Sequence, residues 1–110
     1  MAYGANPPFQ SGNLLAFAAG AVSAVSALPG TGESVIVTNL SASIAYVFFS
    51  TDPNAVAVIP APGFSVAGGL VVLSGAQRVC GCPSIATQVA AILAVGSGTL
   101  LIERGNGSAR

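Results

Sequence analysis

Chemistry at a protein site starts from titratable or nucleophilic side chains, and this 110-residue chain has few of them. Six residues carry charge at neutral pH (Glu33, Asp52, Arg78, Glu103, Arg104 and Arg110), they sum to zero, and histidine and lysine are absent. General acid–base catalysis needs such groups positioned together. The serines have neither a histidine nor a lysine to activate them. The glycines between Gly63 and Gly69 lack the lysine and the strand–loop–helix setting of a phosphate-cradling loop. Asp52, just before Pro53, is most simply a turn former, its side-chain oxygen bonding the backbone ahead of it. Glu103 and Arg104 read as a solvated strand end or a rim ion pair. Cys80-Gly81-Cys82 is the one conspicuous motif. A zinc site wants four ligands, and the chain has no further cysteine and no histidine. A disulfide across one residue has unfavourable local geometry. Two small residues packed in or beside a strand is the simpler reading, with a bridge or a metal shared around a symmetry axis as the alternatives. These residues predict a protein that is not an enzyme and needs no cofactor and no metal.

Composition limits the partners. Hydrophobic residues make up 53% of the chain and charged residues 5%, against roughly 25% charged in ordinary soluble domains. With no basic cluster to neutralise phosphates, no nucleic-acid partner is expected. A chain so poor in charge has little to keep copies of itself apart. A secretory leader is not expected, because no Lys or Arg precedes the apolar stretch Leu14 to Leu28. Ser84 to Ile102 is uncharged and about long enough to span a bilayer as a helix. As a helix, however, it would carry Gly96-Ser97-Gly98 in its second half and Gln88 inside, with no basic flank before it. Strands account for it better, and no membrane partner is expected.

The elements follow from small β-branched residues punctuated by glycine and proline. Val89 to Arg104 organises the rest: two apolar runs joined by Gly96-Ser97-Gly98 predict a β-hairpin with glycines where positive φ is needed. If Val95 faces Thr99, then Leu93, Val95 and Leu101 share one face and Ile92, Leu100 and Ile102 the other. Residues 1–13, with Pro7-Pro8, read as an extended arm. Leu14 to Leu28 is ambiguous between helix and strand, with strand favoured from Ala21 to Leu28, before the turn Pro29 to Gly32. Ser34 to Leu40 and Ile44 to Ser50 are strands around a turn at Asn39 to Ser43. Shorter strands are expected at Ala55 to Ile59, Phe64 to Ala67, Leu70 to Leu73 and Gln77 to Cys82. Short strands at this spacing point to a β-sandwich or barrel. We expect an all-β, single-domain antiparallel β-sandwich, jelly-roll-like, over residues 14–107. The extended N-terminal arm covers 1–13, and a short tail covers 108–110.

The stretches SVIVTNLSASIAYVFFS, AVAVIPAPGFSV and SIATQVAAILAVGSGTLLIERGNG resemble small tailed-bacteriophage virion proteins. The matching residues are Val35, Val37 and Asn39 in one strand; Ala45, Tyr46, Val47 and Phe49 in the next; and Gly96 through Gly107 in the closing segment. The pattern covers roughly Ser34 to Gly107 and has no counterpart in the N-terminal third. The resemblance implies a compact β-sandwich in the virion, foremost a decoration or cement protein on the outer surface of the phage head, bound to the major capsid protein. A neck, tail or fibre component is the alternative within that class. From another class, a small membrane protein of holin type would need helices at Leu14–Leu28 and Ser84–Ile102.

Strands apolar on both faces imply a partner. With Leu93, Val95 and Leu101 packed inward, Ile92, Leu100 and Ile102 would face outward, together with one of Phe48 and Phe49. Tyr3 and Phe9 could anchor the arm on a neighbouring subunit. A closed homo-oligomer is the expected outcome, a trimer first and a dimer second.

Overall fold

The computed structural model describes residues 10–30, 32–63, 65, 69–81 and 85–106, with backbone alone for 10–12 and 106. Among these residues eight strands run in order: β1 (Gln10–Gly20), β2 (Ala24–Ala27), β3 (Ser34–Asn39), β4 (Ala45–Ser50), β5 (Gly69–Val72), β6 (Gln77–Gly81), β7 (Gln88–Leu93) and β8 (Ser97–Asn106). They form two antiparallel sheets of four strands, in the orders β1-β8-β3-β6 and β2-β7-β4-β5. Every connection except β4–β5 passes from one sheet to the other. No helix among the described residues is long and apolar enough to cross a membrane. The described residues of Leu14–Leu28 and Ser84–Ile102, where a holin-type reading needs helices, form strands and their connections.

Alternation decides which side chains enter the core. From the first sheet come Phe17, Val35, Val37, Leu100 and Ile102; from the second come Ala45, Val47, Val72, Val89, Ala91 and Leu93. Together they form one cluster between the sheets, with Phe49 packed against it. The expected closing hairpin is therefore absent. β7 and β8 are consecutive, but each sits at the centre of a different sheet, bonded on both edges. That is why both read as uniformly apolar, a pattern that a hairpin's geometry also mimics. The turn between them is held from outside: Ala94 N donates to Ile44 O at 2.9 Å and Val95 N to Ser43 Oγ at 3.1 Å. Gly96 takes the positive φ (76°), whereas Gly98 does not. Gly98 is glycine for another reason, since a Cβ there would run into Ser41 Cβ and lie 2.9 Å from Ser41 Cα.

Other boundaries move as well. β1 begins at Gln10, inside the segment read as an arm, and runs past Leu14 to Gly20. Residues 1–9 and 107–110 lie outside the described residues, as do Cys82 and most of the strand expected at Phe64 to Ala67. Ala55 to Ile59 is no strand but part of the long β4–β5 connection. That connection opens with the expected turn, Asn54 N donating to Asp52 Oδ1 at 2.8 Å.

Candidate interaction surfaces

Two buried polar residues close the ends of the core. Asn39, fully buried at the end of β3, spends its whole amide: Nδ2 donates to Ser43 O (2.7 Å) and Val72 O (2.9 Å), and Oδ1 accepts from Ser41 N (2.9 Å) and Ser41 Oγ (2.6 Å). The bond from Ser41 N is an Asx turn, which redirects the chain from one sheet to the other. At the opposite end lies Arg104, 2% exposed. Its Nε donates to Gly32 O at 3.0 Å, and Nη1 to Ala86 O at 2.7 Å and Gly30 O at 3.3 Å. This corrects the solvated-rim expectation. On β8 the side chains at 100, 102 and 104 all turn inward, so Arg104 enters the core with Leu100 and Ile102. A buried guanidinium is tolerable only when its donors are used, and here they tie two loops to β8.

The remaining charges among the described residues are dispersed. Glu33 and Asp52 are exposed on loops, Arg78 is exposed on β6, and Glu103 is half-buried on the outer face of the first sheet. Among the described residues no group of three or more His, Cys, Asp or Glu could hold a metal ion. Cys80 is half-buried against the core, opposite Val35.

The residues expected at an interface separate into three sets. Leu100 and Ile102 are fully buried in the core, which corrects their outward assignment: Thr99, Leu101 and Glu103 face out instead. Phe49 also turns inward. Phe48 and Ile92 do share an outer face, that of the second sheet, where Ile92 pairs with Tyr46, and Phe48 with Ala90 and Gly69. Tyr3 and Phe9 lie outside the described residues. The outer face is partly covered by the chain itself. The β4–β5 connection returns across it, burying Ala57, whose N donates to Ser23 Oγ at 2.7 Å just ahead of β2. Pro60 then borders a pocket of about 140 Å³ with Tyr46, Phe48, Gly69, Leu70 and Val71. Ligand pockets run to roughly 300–1,000 Å³, so this one has room for a side chain rather than a metabolite.

A second surface was not foreseen. The β1–β2, β3–β4, β5–β6 and β7–β8 connections meet at the Asn39 end. Ser74 Oγ donates to Ser41 O at 2.8 Å and Gly75 N to Asn39 O at 3.0 Å, while Ala94 and Val95 bond the Ser43–Ile44 segment. These loops carry no charge and expose Val22 (80%), Val95 (66%), Leu40 (59%), Leu73 (57%) and Ile44 (37%). Each of these aliphatics stands beside Ser, Ala or Gly in sequence, a context that marks a turn and conceals that the four turns converge. No protein-family model, curated protein or solved structure matches the chain.

Proposed function

We propose that this chain is a non-enzymatic structural protein of a tailed-phage virion, a decoration or cement protein on the outer surface of the head. It would bind the major capsid protein as a homo-oligomer, a trimer or a dimer seated at a symmetry position of the lattice. The observation that carries an assembly role is the charge-free loop end, five exposed aliphatics on a scaffold fastened by Asn39 and Ser41. Exposed apolar surface of a few hundred Å² or more marks contact sites, and the loops that present it here carry no charge. The strand orders β1-β8-β3-β6 and β2-β7-β4-β5 favour a jelly-roll-like β-sandwich, an architecture that virus capsid proteins use. The placement on a phage head rests on the strand and turn pattern from Ser34 to Gly107. A neck, tail or fibre component is the second reading and rests on the same pattern.

Co-sedimentation with purified phage heads tests the proposal. The chain should bind saturably, and Leu73→Glu with Val95→Glu should abolish binding while leaving the far-UV circular dichroism spectrum intact. Binding to tails but not heads would move the protein to the second reading. A folded chain that binds neither would end both.

A further inference from the structure

Sheet edges are where strands recruit other strands, and the four edges here differ. β2 and β5 have four residues each. β6 carries Arg78, whose Nη1 donates across to Val71 O on β5 at 2.9 Å, tying these two edges together. β1 is different: 11 residues with no proline and no charge, and with one irregularity, between Ser11 and Asn13. From 13 to 20 its register with β8 is unbroken.

Hydrogen-bond alternation identifies the groups at its open edge. In an antiparallel ladder, the N–H and C=O of one residue serve the same neighbour, and successive residues serve opposite ones. Leu40 N donates to Thr99 O at 3.0 Å, so Thr99, Leu101 and Glu103 serve β3. Leu100 and Ile102 therefore serve β1, through Phe17 and Leu15. Leu14, Ala16 and Ala18 remain, with backbone groups directed away from the sheet and side chains on its exposed outer face. Among the described residues β1 pairs with no strand but β8.

We propose that β1 pairs antiparallel with β1 of a second copy of this chain, joining the two first sheets into one continuous eight-stranded sheet about a twofold axis. A strand meeting itself antiparallel is self-complementary. The absence of charge from Gln10 to Gly20 means that no like charges meet across the axis. With the axis at Ala16, Leu14 of each copy lies opposite Ala18 of the other, large against small, and Leu14, 60% exposed in the single chain, gains cover.

Proline scanning at adjacent positions tests this pairing by sedimentation equilibrium. Ala16→Pro removes a donor from the open edge alone, whereas Leu15→Pro removes one from the β1–β8 ladder. The wild-type chain should be a dimer. Ala16→Pro should weaken self-association roughly 30- to 100-fold, two lost bonds per dimer at about tenfold each or slightly less, without changing the circular dichroism spectrum. Leu15→Pro should unfold or markedly destabilise the chain. A wild-type monomer, a trimer, or a dimer that persists in Ala16→Pro would overturn the pairing. Should Ala16→Pro itself misfold, hydrogen exchange on the wild-type chain decides. Protection of the Ala16 and Ala18 amides that rises with protein concentration upholds the pairing, and open-edge exchange at every concentration rejects it. The pairing does not rest on the capsid reading. Ala16→Pro that still binds heads would leave the loop end as the capsid contact.

Discussion

Replacing Asn39 by aspartate changes one atom's chemistry and almost no volume. Oδ1 keeps its two bonds from Ser41, but the group that donated to Ser43 O and Val72 O at 2.7 and 2.9 Å becomes an acceptor facing acceptors. Each carbonyl loses a donor and faces an acceptor in its place, although Ser43 O keeps Ser41 Oγ at 3.0 Å. A lost partner at a buried group costs about 1–3 kcal/mol, so the two together give about 2–6 kcal/mol. A carboxylate at a fully buried position should push the loss to the upper half, about 4 kcal/mol. With a urea dependence of about 1.5–2 kcal/mol per molar for a chain this size, the midpoint should fall by about 2–3 M with little change in slope. Ser41→Ala is the control. It removes a hydroxyl that donates to Asn39 Oδ1 or Ser43 O and accepts from Ser43 N at 3.2 Å, leaves the Asx turn, and should cost about 1–2 kcal/mol. Urea titration followed by far-UV circular dichroism measures both. A midpoint within about 0.3 M of wild type for Asn39→Asp would show that the Nδ2 bonds do not hold this end of the core. The same variant should weaken head binding, because Asn39 anchors the loops that present Leu40, Leu73 and Val95.

At the other end, Arg104→Met should lower stability by about 2–4 kcal/mol, since the Gly32 and Ala86 carbonyls lose their donors although a buried charge is removed. Arg104→Lys should recover less than half of that, because an ammonium cannot spread over carbonyls from two loops as a planar guanidinium does. Calorimetry distinguishes the two variants, and equal melting temperatures for Met and Lys would refute the account. Gly98→Ala should destabilise more than Gly96→Ala, because the first runs into Ser41 Cα while the second meets open space and incurs only the backbone strain of about 1 kcal/mol. Equal denaturation midpoints would count against the close approach. Leu93→Lys should unfold the chain by placing a charge in the core, whereas Ile92→Lys, half-buried on the outer face, should fold. Circular dichroism of the two proteins checks the assignment of faces.

Local chemistry made the all-β character legible in the sequence. β-branched runs such as Ser34–Asn39 leave little choice but strand, and Asp52-Pro53-Asn54 turns wherever it occurs, because its bonds reach only two or three residues. The fate of Phe48 was half legible. Alternation requires that Phe48 and Phe49 part, but it does not say which enters the core. Partnership between strands is a different kind of fact. β7 and β8 look like a hairpin because the signal for a glycine turn is the same whether the chain returns in its own sheet or crosses to the opposite one. Which happens depends on β1, β3, β2 and β4 offering each strand two bonded edges, and those strands are remote in sequence. Register follows partnership, so Leu100 and Ile102 moved from the surface to the core, and Arg104 moved with them. Arg104 shows the limit most plainly. An arginine at a strand end suggests solvent, and its burial becomes tolerable because carbonyls from residues 30, 32 and 86, remote in sequence, are brought to it. The charge-free loop end is tertiary in the same sense. Its aliphatics lie in four separate turns, and they become one surface only because the strands that they connect all end on the same side.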